Sequence, residues 1–139
     1  MYEICISYVT VNPKNGSDVR KKEYFILEHA ESFANAEEIG YDYGSGLTDI
    51  DVVAIKRSKL REIVNERPIG DEECKVFFAT ICDFFTDDND VTKEIKYTVA
   101  LFAHDINEAH QAVKQYMLQG LEDMELKQLK ETKISDVIR

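Results

Sequence analysis

Asp49-Ile-Asp-Val-Val-Ala-Ile-Lys-Arg-Ser-Lys-Leu-Arg-Glu-Ile-Val64 aligns without a gap on Asp123-Met-Glu-Leu-Lys-Gln-Leu-Lys-Glu-Thr-Lys-Ile-Ser-Asp-Val-Ile138. Asp49/Asp123, Lys56/Lys130 and Lys59/Lys133 are identical, and Val52/Leu126, Ile55/Leu129, Leu60/Ile134, Ile63/Val137 and Val64/Ile138 stay apolar. Self-similarity at a fixed offset marks a duplicated supersecondary unit. Working outward, Tyr24, Ile26, Ala30, Phe33 and Ala36 match Tyr97, Val99, Ala103, Ile106 and Ala109. Ile4, Ile6, Tyr8 and Thr10 match Cys74, Val76, Phe78 and Thr80. The offset changes in the hairpin connection and in or after the helix, and loops tolerate such changes.

Each unit reads alike. Residues 2 to 11 alternate Ile4, Ile6 and Tyr8 with Cys5, Ser7 and Val9, the period of a half-buried strand. Pro13-Lys14-Asn15-Gly16 carries an Asn-Gly pair, which favours a tight hairpin because both residues accept positive φ. A second strand follows at about 21 to 30. In the other unit, strands at 76 to 85 and 94 to 103 flank the polar turn Asp87-Asp88-Asn89-Asp90. A helix follows each hairpin. Ser32 is placed to cap the first, and Asp105 with Glu108 has capping-box spacing for the second. Ile106, Ala109, Val113, Tyr116 and Met117 form the second helix's apolar face, and Gly120 is placed to close it. Gly40, Gly44 and Gly46 leave residues 40 to 46 open between helix and loop.

The predicted fold class is α+β: tandem strand-strand-helix-strand repeats forming one pseudo-twofold domain, with mainly antiparallel sheet and two helices. One domain spans 1–139, with repeat one at 1–65, repeat two at 73–139 and a Pro68- and Gly70-containing linker at about 65–73. A unit of about 65 residues is marginal alone, so the halves are expected to share a core.

The 139 residues carry 17 basic and 27 acidic side chains, a net charge of −10, which disfavours bulk attraction to nucleic acid or anionic membrane. No apolar run approaches a membrane span and the N-terminal residues lack a signal core, so a cytoplasmic setting and no membrane partner are expected. Cys5, Cys74 and Cys82 show no metal-site spacing and read as small buried strand residues. His104 and His110 lie six apart, not the four that puts two ligands on one helix face. Gly44-Ser45-Gly46 lacks the context of a phosphate loop, and Asp87, Asp88 and Asp90 lack the glycine and distal glutamate of a calcium loop. The sequence thus points to no catalytic residues, no cofactor and no metal. An enzyme would show itself instead by a deep pocket holding His29, His104 or a clustered carboxylate.

Lys56, Arg57, Lys59 and Arg61, with Lys127, Lys130 and Lys133 at equivalent positions, form candidate nucleic-acid-binding ridges; Arg20, Lys21 and Lys22 enter a second strand nearby in sequence. Beside Tyr8, Tyr24, Phe78 and Tyr97 such ridges could track a single strand while bases stack. The alternative is that these lysines keep strand edges soluble. Glu28, Glu31, Glu37, Glu38 and Asp42 around the first helix could present acidic charge to a basic partner, as a nucleic-acid mimic does.

Ile6-Ser-Tyr8, Glu31-Ser-Phe-Ala-Asn-Ala-Glu37, Val53-Ala-Ile-Lys-Arg-Ser-Lys59 and Cys74-Lys-Val-Phe-Phe-Ala-Thr80 together resemble an uncharacterised two-repeat domain family of Bacteroides-group gut bacteria and their phages. The resemblance implies a bacterial or phage-infected cytoplasm and a small accessory binding protein, and supplies no catalytic residues. The expectation is a non-enzymatic protein-binding module, with single-stranded nucleic-acid binding as the alternative and an acidic nucleic-acid mimic as the second. Oligomeric state stays open between a monomer and a homodimer joined through free strand edges.

Overall fold

The computed structural model describes residues 1–120 and 123–139. Among these the elements in chain order are β1 (Tyr2–Val11), β2 (Asp18–Leu27), α1 (Phe33–Tyr43), β3 (Thr48–Arg57), β4 (Leu60–Ile63), β5 (Lys75–Thr86), β6 (Thr92–Ala103), α2 (Ile106–Leu118), β7 (Asp123–Glu131) and β8 (Ile134–Ile138). The eight strands form two four-stranded sheets, ordered β3-β1-β2-β8 and β4-β6-β5-β7. The chain divides into two compact units, Met1–Ser58 with Lys133–Arg139, and Lys59–Thr132.

These units do not coincide with the two segments read as repeats. The change-overs fall at Ser58/Lys59 and Thr132/Lys133, and residues 65–73, read as a linker, lie within the second unit between β4 and β5. Each segment expected to end in one third strand is broken into two, at positions that correspond in the alignment. The short strand after each break joins the sheet built from the other sequence half, β8 in the first unit and β4 in the second. There β8 lies parallel to β2, with Phe25 opposite Asp136 and Leu27 opposite Ile138. β4 lies parallel to β6, with Leu60 opposite Thr98 and Ile63 opposite Ala100. Both sheets are therefore mixed: the hairpins and the β1/β3 and β5/β7 pairs are antiparallel, the closing pairs parallel. The pairing continues past the strand ends, where Glu28 N–H donates to the Ile138 carbonyl at 3.1 Å and Val64 N–H to the Ala100 carbonyl at 2.8 Å.

In the first unit, Tyr2, Ile4, Ile6, Tyr8, Phe25 and Leu27 form the core with Ala30 and Ala36, and Ile138 packs against it. The Tyr2 and Phe33 rings meet edge-on at 5.1 Å, joining β1 to α1. β1 is buried on both faces: Cys5 is 5% exposed and Ser7 1%. The half-buried alternation expected there does not hold. Ser7 Oγ is satisfied by Arg20 Nη1 at 3.0 Å. In the second unit the core is Phe77, Ala79, Ile81, Val99, Leu101, Ala103, Ala109 and Val113, with Val64 packed against it. Val64 and Ile138, equivalent in the alignment, thus each pack on the core built by the other sequence half.

Ser32 caps α1, its hydroxyl accepting from Asn35 N–H at 3.0 Å. The helix runs through Gly40 to Tyr43 and closes at Gly44, so the glycines do not dissolve it. Gly40 is buried, and a Cβ there would stand 2.8 Å from Val52 Cγ2 and 3.2 Å from Ile4 Cδ1; glycine lets the helix lie close on β1 and β3. In the first hairpin only Gly16 takes positive φ, while the Asn15 side chain accepts from Ser17 N–H at 3.0 Å. In the second, Asp87 Oδ1 accepts from the amides of Asn89 and Val91. Ile106 is half exposed, unlike its predicted helix face; Ala109 and Val113 make the buried contact.

Two outcomes test this packing. Gly40→Val should lower stability in urea unfolding by about 1–3 kcal/mol, because the stiff Val52 side chain cannot yield. Ending the chain after Lys133 should cost hydrogen-exchange protection at Tyr24–Leu27 in β2. Loss at Thr98–Ala100 in β6 instead would mean that the tail pairs within its own sequence half.

Candidate functional site

The seven basic residues singled out in the sequence are all exposed, and they divide between the units. Lys56, Arg57 and Lys133 belong to the first, and Lys59, Arg61, Lys127 and Lys130 to the second. Several are already engaged. Lys56 Nζ lies 4.0 Å from Glu3, the Arg57 guanidinium stands 5.9 Å over the Phe33 ring, Arg61 lies 4.2 Å over Tyr97, and Lys127 pairs with Glu125 at 3.2 Å. Arg20 pairs with Asp49. Of the aromatics, Tyr8 is a core residue whose hydroxyl donates to Glu23; that hydrogen bond, with burial and the carboxylate's charge, pushes its pKa up to about 12. Tyr97 is covered by Arg61 and its hydroxyl lies 3.7 Å from the Met124 sulfur. Around α1, Glu31, Glu37, Glu38 and Asp42 are exposed, while Glu28 is drawn towards Arg139 at 3.4 Å.

One recess opens on the first sheet. The register sets Ala54, Cys5, Tyr24 and Ile134 in a row from β3 across β1 and β2 to β8, on the face opposite the α1-facing core residues. That row floors a mostly apolar cavity of about 280 Å³, with Glu3 and Lys56 on its wall.

In the second unit the fold gathers reactive side chains that lie far apart in sequence. Asp71 and Cys74 flank the end of the loop before β5, and His104 follows β6 just ahead of the α2 cap. His104 Nε2 stands 2.6 Å from Asp71 Oδ2 and 3.6 Å from Cys74 Sγ, while Nδ1 stands 2.9 Å from Glu108 Oε2. Glu108 thus turns its carboxylate to His104; its amide is the one that Asp105 caps, at 2.8 Å. Both ring nitrogens face carboxylates, which favours the doubly protonated imidazolium. Hydrogen bonds first to Glu108 and then to Asp71 raise the His104 pKa against desolvation. For Asp71, burial pushes upward, but the hydrogen bond and charge of His104 outweigh it and the pKa falls. Burial, then the Asp71 charge and hydrogen bond, raise the Cys74 thiol. Burial and Glu94 push Cys82 up to about 11.

Sequence spacing did not disclose this group. Thirty residues separate Cys74 from His104, and Asp-x-x-Cys before a strand is not a metal signature by itself. His104 does meet two carboxylates, but at a half-exposed position and not in the deep pocket that would point to an enzyme.

A family model described as a domain of unknown function, DUF4494, matches residues 1–139. The chain belongs to the DUF4494 family. No curated protein and no solved structure matches this DUF4494 chain. No helix among its described residues is long and apolar enough to cross a membrane.

The His104 group fixes a pH dependence. His104, with its pKa raised from 6.5, stabilises the fold fully below about that pH and loses this as pH rises through the higher folded value. Asp71, lowered from 3.8, stabilises above that pH and loses this as pH falls through the lower folded value. The urea midpoint difference between wild type and His104→Gln should therefore be largest between pH 3.8 and 6.5 and shrink on either side. A difference that keeps growing above neutral pH would contradict the imidazolium assignment.

Proposed function

We propose that the chain is a non-enzymatic binding module for a protein partner, acting in a bacterial or phage-infected cytoplasm and built by duplication of one strand-strand-helix-strand unit. Supporting the duplication are two sheets with the same strand order, each flanked by one helix in its own unit. The binding reading is carried by the apolar recess across β3, β1, β2 and β8. Its 280 Å³ falls just below the roughly 300–1,000 Å³ of small-molecule pockets, the scale of a single anchoring side chain. It adjoins β3, an edge strand whose Ala54–Arg57 half is in regular register with Tyr2–Cys5. An extended partner segment would add to that edge and place one apolar side chain in the recess.

Two observations weigh against the other readings. A single-stranded nucleic acid needs available cations and free aromatic faces, whereas Arg57 already lies over Phe33, Lys127 pairs with Glu125 and Tyr97 carries Arg61. A cysteine nucleophile needs a lowered pKa, whereas Cys74 is buried and raised.

Selection of displayed random peptides on the purified chain, followed by anisotropy titration, tests the proposal. Peptides with one large apolar anchor should bind with weak salt dependence and lose affinity at least tenfold to Ala54→Glu or Ile134→Glu. Steep, salt-sensitive binding of labelled single-stranded oligonucleotides, abolished by reversing Lys56, Arg57, Lys59 and Arg61, would displace it in favour of nucleic acid.

A further inference from the structure

We infer that Asp71, Cys74 and His104 form a transition-metal site, with zinc the favoured ion. One thiolate, one imidazole and one carboxylate is a donor set of the kind zinc takes. The three donor atoms lie within 4.8 Å of one another, so adjustments of about an ångström would bring all of them to one ion. Zinc bonds of about 2.3 Å to sulfur and 2.0–2.1 Å to nitrogen, at a tetrahedral angle, set the ligand atoms about 3.5 Å apart. Cys74 Sγ and His104 Nε2 already stand 3.6 Å apart. His104 Nε2 and Asp71 Oδ2 are at hydrogen-bond distance, 2.6 Å, and must separate to about 3.4 Å when an ion replaces the shared proton. Asp71 lies on the loop, where a shift of that size is local.

The surroundings also fit. Glu108 holds the other ring nitrogen, the carboxylate–histidine–metal arrangement that fixes the tautomer and turns the remaining lone pair towards the ion. Glu108 is set by α2, whose cap by Asp105 fixes the first turn. His104 is 41% exposed at its side chain and Asp71 24%, and the loop Pro68–Glu73 borders an open polar depression, so an ion has a path in. Binding would deprotonate Cys74 and His104 Nε2, releasing both protons to solvent, without oxidation or reduction. With three protein ligands, the fourth position falls to water or to a donor from a partner. The ion would fasten the loop before β5 to the corner between β6 and α2.

The test uses the full chain, stripped with a chelator, with zinc or cobalt(II) as the only probes. One zinc per chain should bind in competition with a chromophoric chelator and raise the melting temperature. Cobalt should give a thiolate charge-transfer band in the near ultraviolet and the visible absorption of a four-coordinate ion. Cys74→Ser should remove the thiolate band, and Asp71→Asn should weaken uptake. Glu108→Gln, which keeps every ligand, should lower affinity by roughly 10–100-fold at unchanged stoichiometry. Absence of uptake by the wild-type chain overturns the inference, whatever the variants do. So does uptake without a thiolate band, or uptake indifferent to Cys74→Ser.

Discussion

The exchange of closing strands is the constraint on which the rest of the molecule depends. β2 and β6 each carry a hairpin partner on one side, and their other edges are filled only by β8 and β4, supplied from beyond the Thr132/Lys133 and Ser58/Lys59 change-overs. Uncovered, those edges would present rows of unpaired amides and carbonyls. The same exchange delivers apolar side chains, Ile138 to the first core and Val64 to the second. Hydrogen bonding and burial therefore act on the same few residues, and neither sheet is complete from residues 1–65 or 73–139 alone. Even the recess depends on it, because Ile134 of β8 supplies one end of its floor.

Much of this was legible in the sequence for a plain physical reason. Strand alternation, turn residues and cap residues are local, so β1, both hairpins, Ser32 and Asp105 could be read from their neighbours. Pairing partners are not local. Nothing in the period of Leu60–Ile63 states whether it runs parallel or antiparallel, or against which strand, and the polar run Lys56–Lys59 over the break reads equally as the exposed stretch of one strand. The glycines of α1 misdirect for a related reason: Gly40 opposes helix by propensity, but its value lies in the approach of Val52 and Ile4, which is visible only once β1 and β3 are in place.

Candidate chemistry follows the same division. Runs of lysine and arginine are conspicuous in a sequence, yet side-chain environment decides what each can do, and Arg57 and Arg61 lie over aromatic rings of their own units. The Asp71, Cys74, His104 and Glu108 group is the reverse case. Its members belong to a loop, the approach to a strand, a strand exit and a helix, and only the β5/β6 hairpin, which sets Lys75 opposite Ala103, brings them together.

The exchanged strands also reverse the order of birth and completion. During synthesis the first unit is begun first, but its sheet cannot close until the whole of the second unit has been made, because β8 follows Thr132. The second unit has all its strands as soon as β7 is available. Through that interval the nascent first unit carries an open β2 edge, the kind of surface that captures neighbouring chains on a crowded polysome. Lys21, Lys22 and Glu23, charged residues in the stretch of β2 just before the β8 pairing begins at Tyr24, stand guard during this wait.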